Sequence, residues 1–120
     1  MGTQRTGEDC MSSIRTVLHI LGGKWSFLVL AQLYIRPRRF NQLLRALDDI
    51  STKALTDTLR HLERNEIIRR EVTPTVPITV EYSLTEKGKA FRVVLSEMNH
   101  WMQMWGKQEE YIDKEYSCLN

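Results

Sequence analysis

"STKALTDTLRHLERNEIIRR", residues 51–70, sets Leu55, Leu59 and Leu62 at spacings of four and three, so on a 3.6-residue helix they form one apolar stripe. The opposite face of that helix is polar: Thr52, Lys53, Thr56, Arg60 and Arg64 all turn to solvent. Ser51 is a natural N-cap and Asn65 a C-terminal stop, after which an Ile-Ile-Arg-Arg run takes on the character of a strand. A polar face of hydroxyls and cations either keeps the helix soluble or is offered to a partner. The neighbouring elements decide between the two.

Immediately upstream, Phe40, Leu43, Leu44 and Leu47 predict a short helix over 40–47, and "DDIS" makes a tight turn into the helix at 51. Downstream, residues 67–72 and 78–84 read as two strands. The second alternates Val80, Tyr82 and Leu84 with Thr79, Glu81 and Ser83, and Pro74 and Pro77 stiffen the tip between the strands. Further out, Ile14, Val17, Leu18 and Leu21 predict an amphipathic helix over 11–21, stopped by Gly22 and Gly23. A second helix follows from residue 24, apolar on more than one side (Trp25, Leu28, Val29, Leu33) and therefore buried, and Pro37 ends it. After Thr85, a cap, a long helix over 86–112 carries Phe91, Val94, Leu95, Met98, Trp101, Met102 and Trp105 about one turn apart.

Helix, tight turn, helix and then a hairpin is the order of a winged helix-turn-helix. The expected fold class is α+β, mostly α: one domain over 1–120, with a winged-helix core at 24–85 and dimerisation helices at 11–21 and 86–112. In that frame the 51–64 helix enters the DNA major groove. Lys53 and Arg60 meet phosphate or guanine edges, Ser51, Thr52 and Thr56 donate to phosphate or touch base edges, and Arg38 and Arg39 begin the preceding helix at the height of the DNA backbone.

Composition narrows the alternatives. The chain has 120 residues and a net charge of only +2. Its middle is basic, however: residues 36–70 hold nine Lys or Arg against five acidic side chains, and residues 107–120 hold two against four. That asymmetry suits a polyanionic partner for the middle of the chain. The histidines His19, His61 and His100 are isolated, and no phosphate loop, nucleophile elbow or metal-ligand spacing is present, so neither an enzyme nor a bound metal or cofactor is expected. No apolar run approaches the roughly 20 residues that span a bilayer, and the first ten residues lack a signal-peptide pattern; a cytoplasmic protein without a membrane partner is expected.

Four segments, "LGGKWSFLVLAQL", "RPRRFNQLLRAL", "ISTKALTDTLRHLERNEIIRR" and "VPITVEYSLTEKGKAF", resemble the HxlR-type transcriptional regulators, winged-helix relatives of the MarR group, over residues 12–105. The resemblance implies a dimeric, sequence-specific DNA-binding regulator, often a repressor, in some members answering to oxidants or electrophiles through a cysteine near the N-terminus. Three positions depart from the family pattern. Thr52 stands where proline is common, Thr79 where the wing often carries a basic residue, and Ser12 where the family's cysteine aligns, two residues past Cys10.

A homodimer is expected, formed through Ile14, Leu18, Phe91, Met98, Trp101 and Trp105, because so long an apolar final helix overhangs a small core. Two copies related by a two-fold axis read an inverted-repeat operator in double-stranded DNA. Cys10, ahead of the first helix, and Cys118, after the last, are candidate redox residues whose bridge or adduct would shift the recognition helices; the plain alternative is that both are incidental surface thiols. The effector is not legible in the sequence. The competing reading of the whole frame is a protein-interaction module that binds no specific DNA.

Overall fold

A computed structural model describes residues 7–106, with side chains from Cys10 onward. The elements run α1 (Gly7–Leu21), α2 (Lys24–Ile35), β1 (Arg38–Arg39), α3 (Phe40–Leu47), α4 (Thr52–Arg64), β2 (Ile68–Thr73), β3 (Thr79–Leu84), α5 (Glu86–Ala90) and α6 (Arg92–Trp105). This is a winged helix-turn-helix: mostly helical, with a small antiparallel sheet.

The core forms where apolar periods converge. Leu55, Leu59 and Leu62 of α4 are fully sealed against Val29 and Leu30 of α2 and Leu43 of α3, and Ile68, Tyr82 and Leu84 close the layer from the sheet. Both ends of α4 are built by local chemistry. Ser51 Oγ accepts the Ala54 amide at 3.0 Å, satisfying one of the unpaired donors of the first turn. At the other end Glu66 lies in the left-handed region at φ 60°, its amide bonding Glu63 O and the Ile67 amide bonding Leu62 O. That is a Schellman closure with buried Ile67 and Leu62 as its apolar pair, and glutamate occupies the position where glycine is easiest.

The wing is firmly attached. β2 and β3 pair antiparallel from Ile68↔Leu84 to Thr73↔Thr79, and β1 adds a third strand through Arg38↔Tyr82 and Arg39↔Glu81, giving the order β1-β3-β2. Arg38 and Arg39 therefore do not begin a helix, as the sequence suggested. They form a two-residue edge strand, too short for periodicity to reveal. At the tip, Thr75 Oγ1 donates to Pro77 O at 2.8 Å and lies 3.2 Å from Thr79 Oγ1.

The flanking helices differ from their expected extents. α1 begins at Gly7, so Cys10 sits inside its first turn rather than ahead of it. "GEDC" extends the helix without any apolar repeat to announce it. After the Thr85 cap the chain breaks at Phe91 into α5 and α6. The expected continuation over 107–112 lies outside the described residues, as does Cys118. Among the described residues no single helix is long and apolar enough to cross a membrane.

Candidate nucleic-acid interface

With the leucines of α4 turned inward, the outer face is presented by geometry alone. Thr52, Lys53, Arg60 and Arg64 are exposed and Thr56 is half-buried. The side chains on this face are not equally free. Lys53 Nζ pairs with Asp57 at 2.9 Å, an exposed i,i+4 contact of small energetic weight that a phosphate could displace. Thr56 Oγ1 donates to Thr52 O at 2.8 Å, which leaves the lone pairs of the hydroxyl oxygen able to accept. Ser51 uses its hydroxyl oxygen as the helix cap. Arg60 forms no ion pair with another described residue and projects its guanidinium from the face.

Arg39 is exposed and Arg38 half-buried, both on the sheet edge beside α3. Register sets Arg39 opposite Glu81, and Glu81 opposite Glu71, so one cross-strand row carries one cation and two carboxylates. Two exposed cations on β2, Arg69 and Arg70, were not among the sequence-derived contacts. The Ile-Ile-Arg-Arg run contained the signal, but consecutive strand residues face opposite ways, and only the pairing shows that Arg69 stands across from Ser83 and Arg70 across from Tyr82.

The expected interface residues separate into two groups. Ile14, Leu18, Met98, Trp101 and Trp105 are all exposed, Trp101 at 64% and Trp105 at 74%. Phe91 instead packs inward, tilted on Phe27 with ring centroids 6.5 Å apart. Between α1 and the α5–α6 corner lies an apolar cleft of about 260 Å³, lined by Val17, Ile20, Leu30, Ile67, Phe91 and Val94. Cys10 is exposed, and no cluster of metal-ligating side chains occurs among the described residues.

A face of this kind, carried on a helix-turn-helix with a three-stranded wing, can be compared with known proteins. The family model described as HxlR-like helix-turn-helix matches residues 20–110. The chain belongs to the HxlR family. An uncharacterized HTH-type transcriptional regulator of Methanothermobacter thermautotrophicus is 38% identical over 109 residues, which is 91% of this chain and 83% of the relative. The HTH-type transcriptional regulator YodB of Bacillus subtilis is 33% identical over 109 residues, 91% of this chain and 97% of YodB. The reduced form of YodB superposes with a TM-score of 0.71 at 33% identity, over 85% of this chain and 95% of that one, and diamide-treated and quinone-bound forms of YodB also match. The redox regulator HypR in its oxidized form matches with a TM-score of 0.74 at 33% identity, covering 81% of this chain and 98% of HypR. This HxlR-family chain is thus a transcriptional regulator of the helix-turn-helix type, and its relatives are named as regulators rather than enzymes.

Proposed function

We propose that the chain acts as a homodimeric repressor that binds a specific inverted-repeat operator, with α4 of each protomer in a major groove. Lys53, Thr56 and Arg60 read base edges, while Ser51, Thr52, Arg38 and Arg39 lie along the phosphates. The observation that carries this reading is the division of α4: every leucine of its stripe is sealed in the core, while Thr52, Lys53, Arg60 and Arg64 on the opposite face are exposed. The open apolar faces of α1 and α6 support the dimer, each helix lacking within the protomer the partner its spacing calls for. Such a protein works on the chromosome and so in the cytoplasm. The exposed Cys10, together with the likeness to HypR, a redox regulator, supports a thiol input to the same device.

Selection from random duplexes at moderate salt tests the reading. The parent should enrich a two-fold symmetric motif. Arg60→Ala should relax discrimination at one position by about 1–3 kcal/mol, and Arg39→Ala should weaken all duplexes alike. A library that returns no enriched motif would instead favour a protein-interaction module. Cys10→Ser should bind operator DNA normally and lose its response to diamide; an unchanged response would remove Cys10 from the mechanism.

A further inference from the structure

α1 is joined to the rest of the protomer at one end. Its 15 residues extend about 22 Å. Met11, Ile14, Val17 and Leu18 are exposed along it, and only the last turn is anchored, by buried Leu21 and half-buried Ile20. The covalent exit is Gly22–Gly23, with φ of 74° and 145°, and α1 bends 75° from α2 across this pair. Two glycines in the left-handed half of backbone space leave the angle between the helices weakly specified by the chain itself. Contacts from elsewhere must set it.

One such contact comes from α4. His61, in the last turn of that helix, places Nε2 2.9 Å from the carbonyl oxygen of His19, in the last turn of α1. A carbonyl can only accept, so Nε2 carries the hydrogen and donates. The acceptor is one of the terminal helix carbonyls that have no intrahelical partner, so the bond satisfies an atom α1 cannot satisfy alone. The two imidazoles stand edge to face at 6.1 Å, and the His61 ring lies over Gly22, where a Cβ would come within 3.3 Å of Cδ2 and Nε2. The ring thus fits against the hinge as well as the helix end.

The other side of the same α4 end is held by α5. Lys87 Nζ donates to Asn65 O at 2.9 Å, and Thr85 Oγ1 donates to Glu66 O at 2.6 Å. The C-terminal end of α4 therefore meets both α1 and α5, while at its N-terminal end the side chains of Thr52 and Lys53 are exposed and Leu55 is buried. Because the buried leucines pack α4 as one rod about 20 Å long, a shift imposed at its C-terminal end is carried to residues 52 and 53.

We propose that His61 is a positioning residue: its bond to the His19 carbonyl passes the placement of α1 to α4, and so sets the separation at which two recognition helices meet DNA. The inference rests on the dimeric, DNA-binding reading above and deepens it. A partner protomer moves α1; His61 makes α4 follow. The bond does not hold the fold together, since α4 is already sealed by its leucines and capped at both ends.

The test uses the full chain and two substitutions. His61→Phe keeps a ring of similar size over Gly22 and removes the donor; His61→Gln keeps a donor of similar reach. Each is titrated with the selected operator and with versions carrying one base pair more or fewer between half-sites, which shifts the half-site separation by about 3.4 Å. The parent should prefer its own spacing by about tenfold or more, His61→Phe should fall to within about threefold across the series at unchanged dimer mass, and His61→Gln should restore the preference. A His61→Phe protein as selective for spacing as the parent, or a His61→Gln protein as tolerant as His61→Phe, would overturn the proposal. Failure of the parent to select any duplex would overturn the DNA-binding reading itself, and the proposal with it.

Discussion

The winged-helix centre and the two helices that flank it have the same kind of sequence and opposite fates. In α4, leucines at three- and four-residue spacing are all buried; in α1 and α6, Ile14, Leu18, Met98 and Trp101 at like spacing are exposed. Periodicity declares that a helix has an apolar face. It does not say whether the covering surface belongs to the same chain. Here the centre closes on itself, and the flanks are left with faces that only a second surface can cover.

The largest expected effect breaks the two regions apart. Leu59→Ala should destabilise the protomer by about 2–5 kcal/mol in urea unfolding, because the buried site around it cannot collapse fully. If the proposed dimer forms through α6, Trp101→Ala should leave the unfolding of a dissociated protomer nearly unchanged while weakening association by about 10- to 100-fold in sedimentation. If both substitutions acted on the protomer alike, the contrast would be lost.

Tyr34 sits on the border between the regions, its hydroxyl donating to Gly88 O at 2.5 Å and so tying α2 to α5. Burial pushes its pKa from the ordinary 10.0 up to about 12, against a small opposing pull from the Arg92 guanidinium. The folded chain holds this proton more tightly than the unfolded one, so the stability it contributes is intact below about pH 10 and is lost as pH rises through about 12. Tyr34→Phe should cost about 1 kcal/mol at neutral pH and flatten the alkaline limb of a stability–pH profile.

Smaller effects sharpen the picture of the centre. Glu66→Gly should stabilise the protein by about 0.5–1 kcal/mol in thermal unfolding, by relieving a side chain held at φ 60°. Glu81→Gln should leave stability almost unchanged and tighten operator binding about two- to threefold at low salt, the gain fading as salt rises, because it removes a carboxylate opposite Arg39.

The residues themselves explain which features were legible in the sequence. The α3–α4 pair and the hairpin followed from leucine spacing and strict alternation, and the Ser51 and Thr85 caps from residue type, because each depends on neighbours within a few positions. Three features depend on contacts distant in sequence and were hidden. β1 exists only because β3 offers Arg38 and Arg39 a partner edge. The packing of the Phe91 ring on Phe27, at the break between α5 and α6, joins residues far apart in the chain. The meeting of His61 with His19 spans 42 residues, and two histidines that looked isolated in the chain touch in space. The candidate contact face was legible as a set of residue types, but not in its competition: the pairing of Asp57 with Lys53 appears only with coordinates.

The pairing of β1 with β3 has a mechanical consequence for any duplex bound here. Because that short ladder joins the wing to the segment leading into α3, the wing and α3 are held together when a groove is too wide or a flank too straight. The adjustment then falls to the nucleic acid. Operators whose flanks contain easily kinked pyrimidine–purine steps should bend further and bind more tightly than stiff A-tract flanks with identical contacted bases, so the protein would distinguish sequences it never touches by how readily they deform.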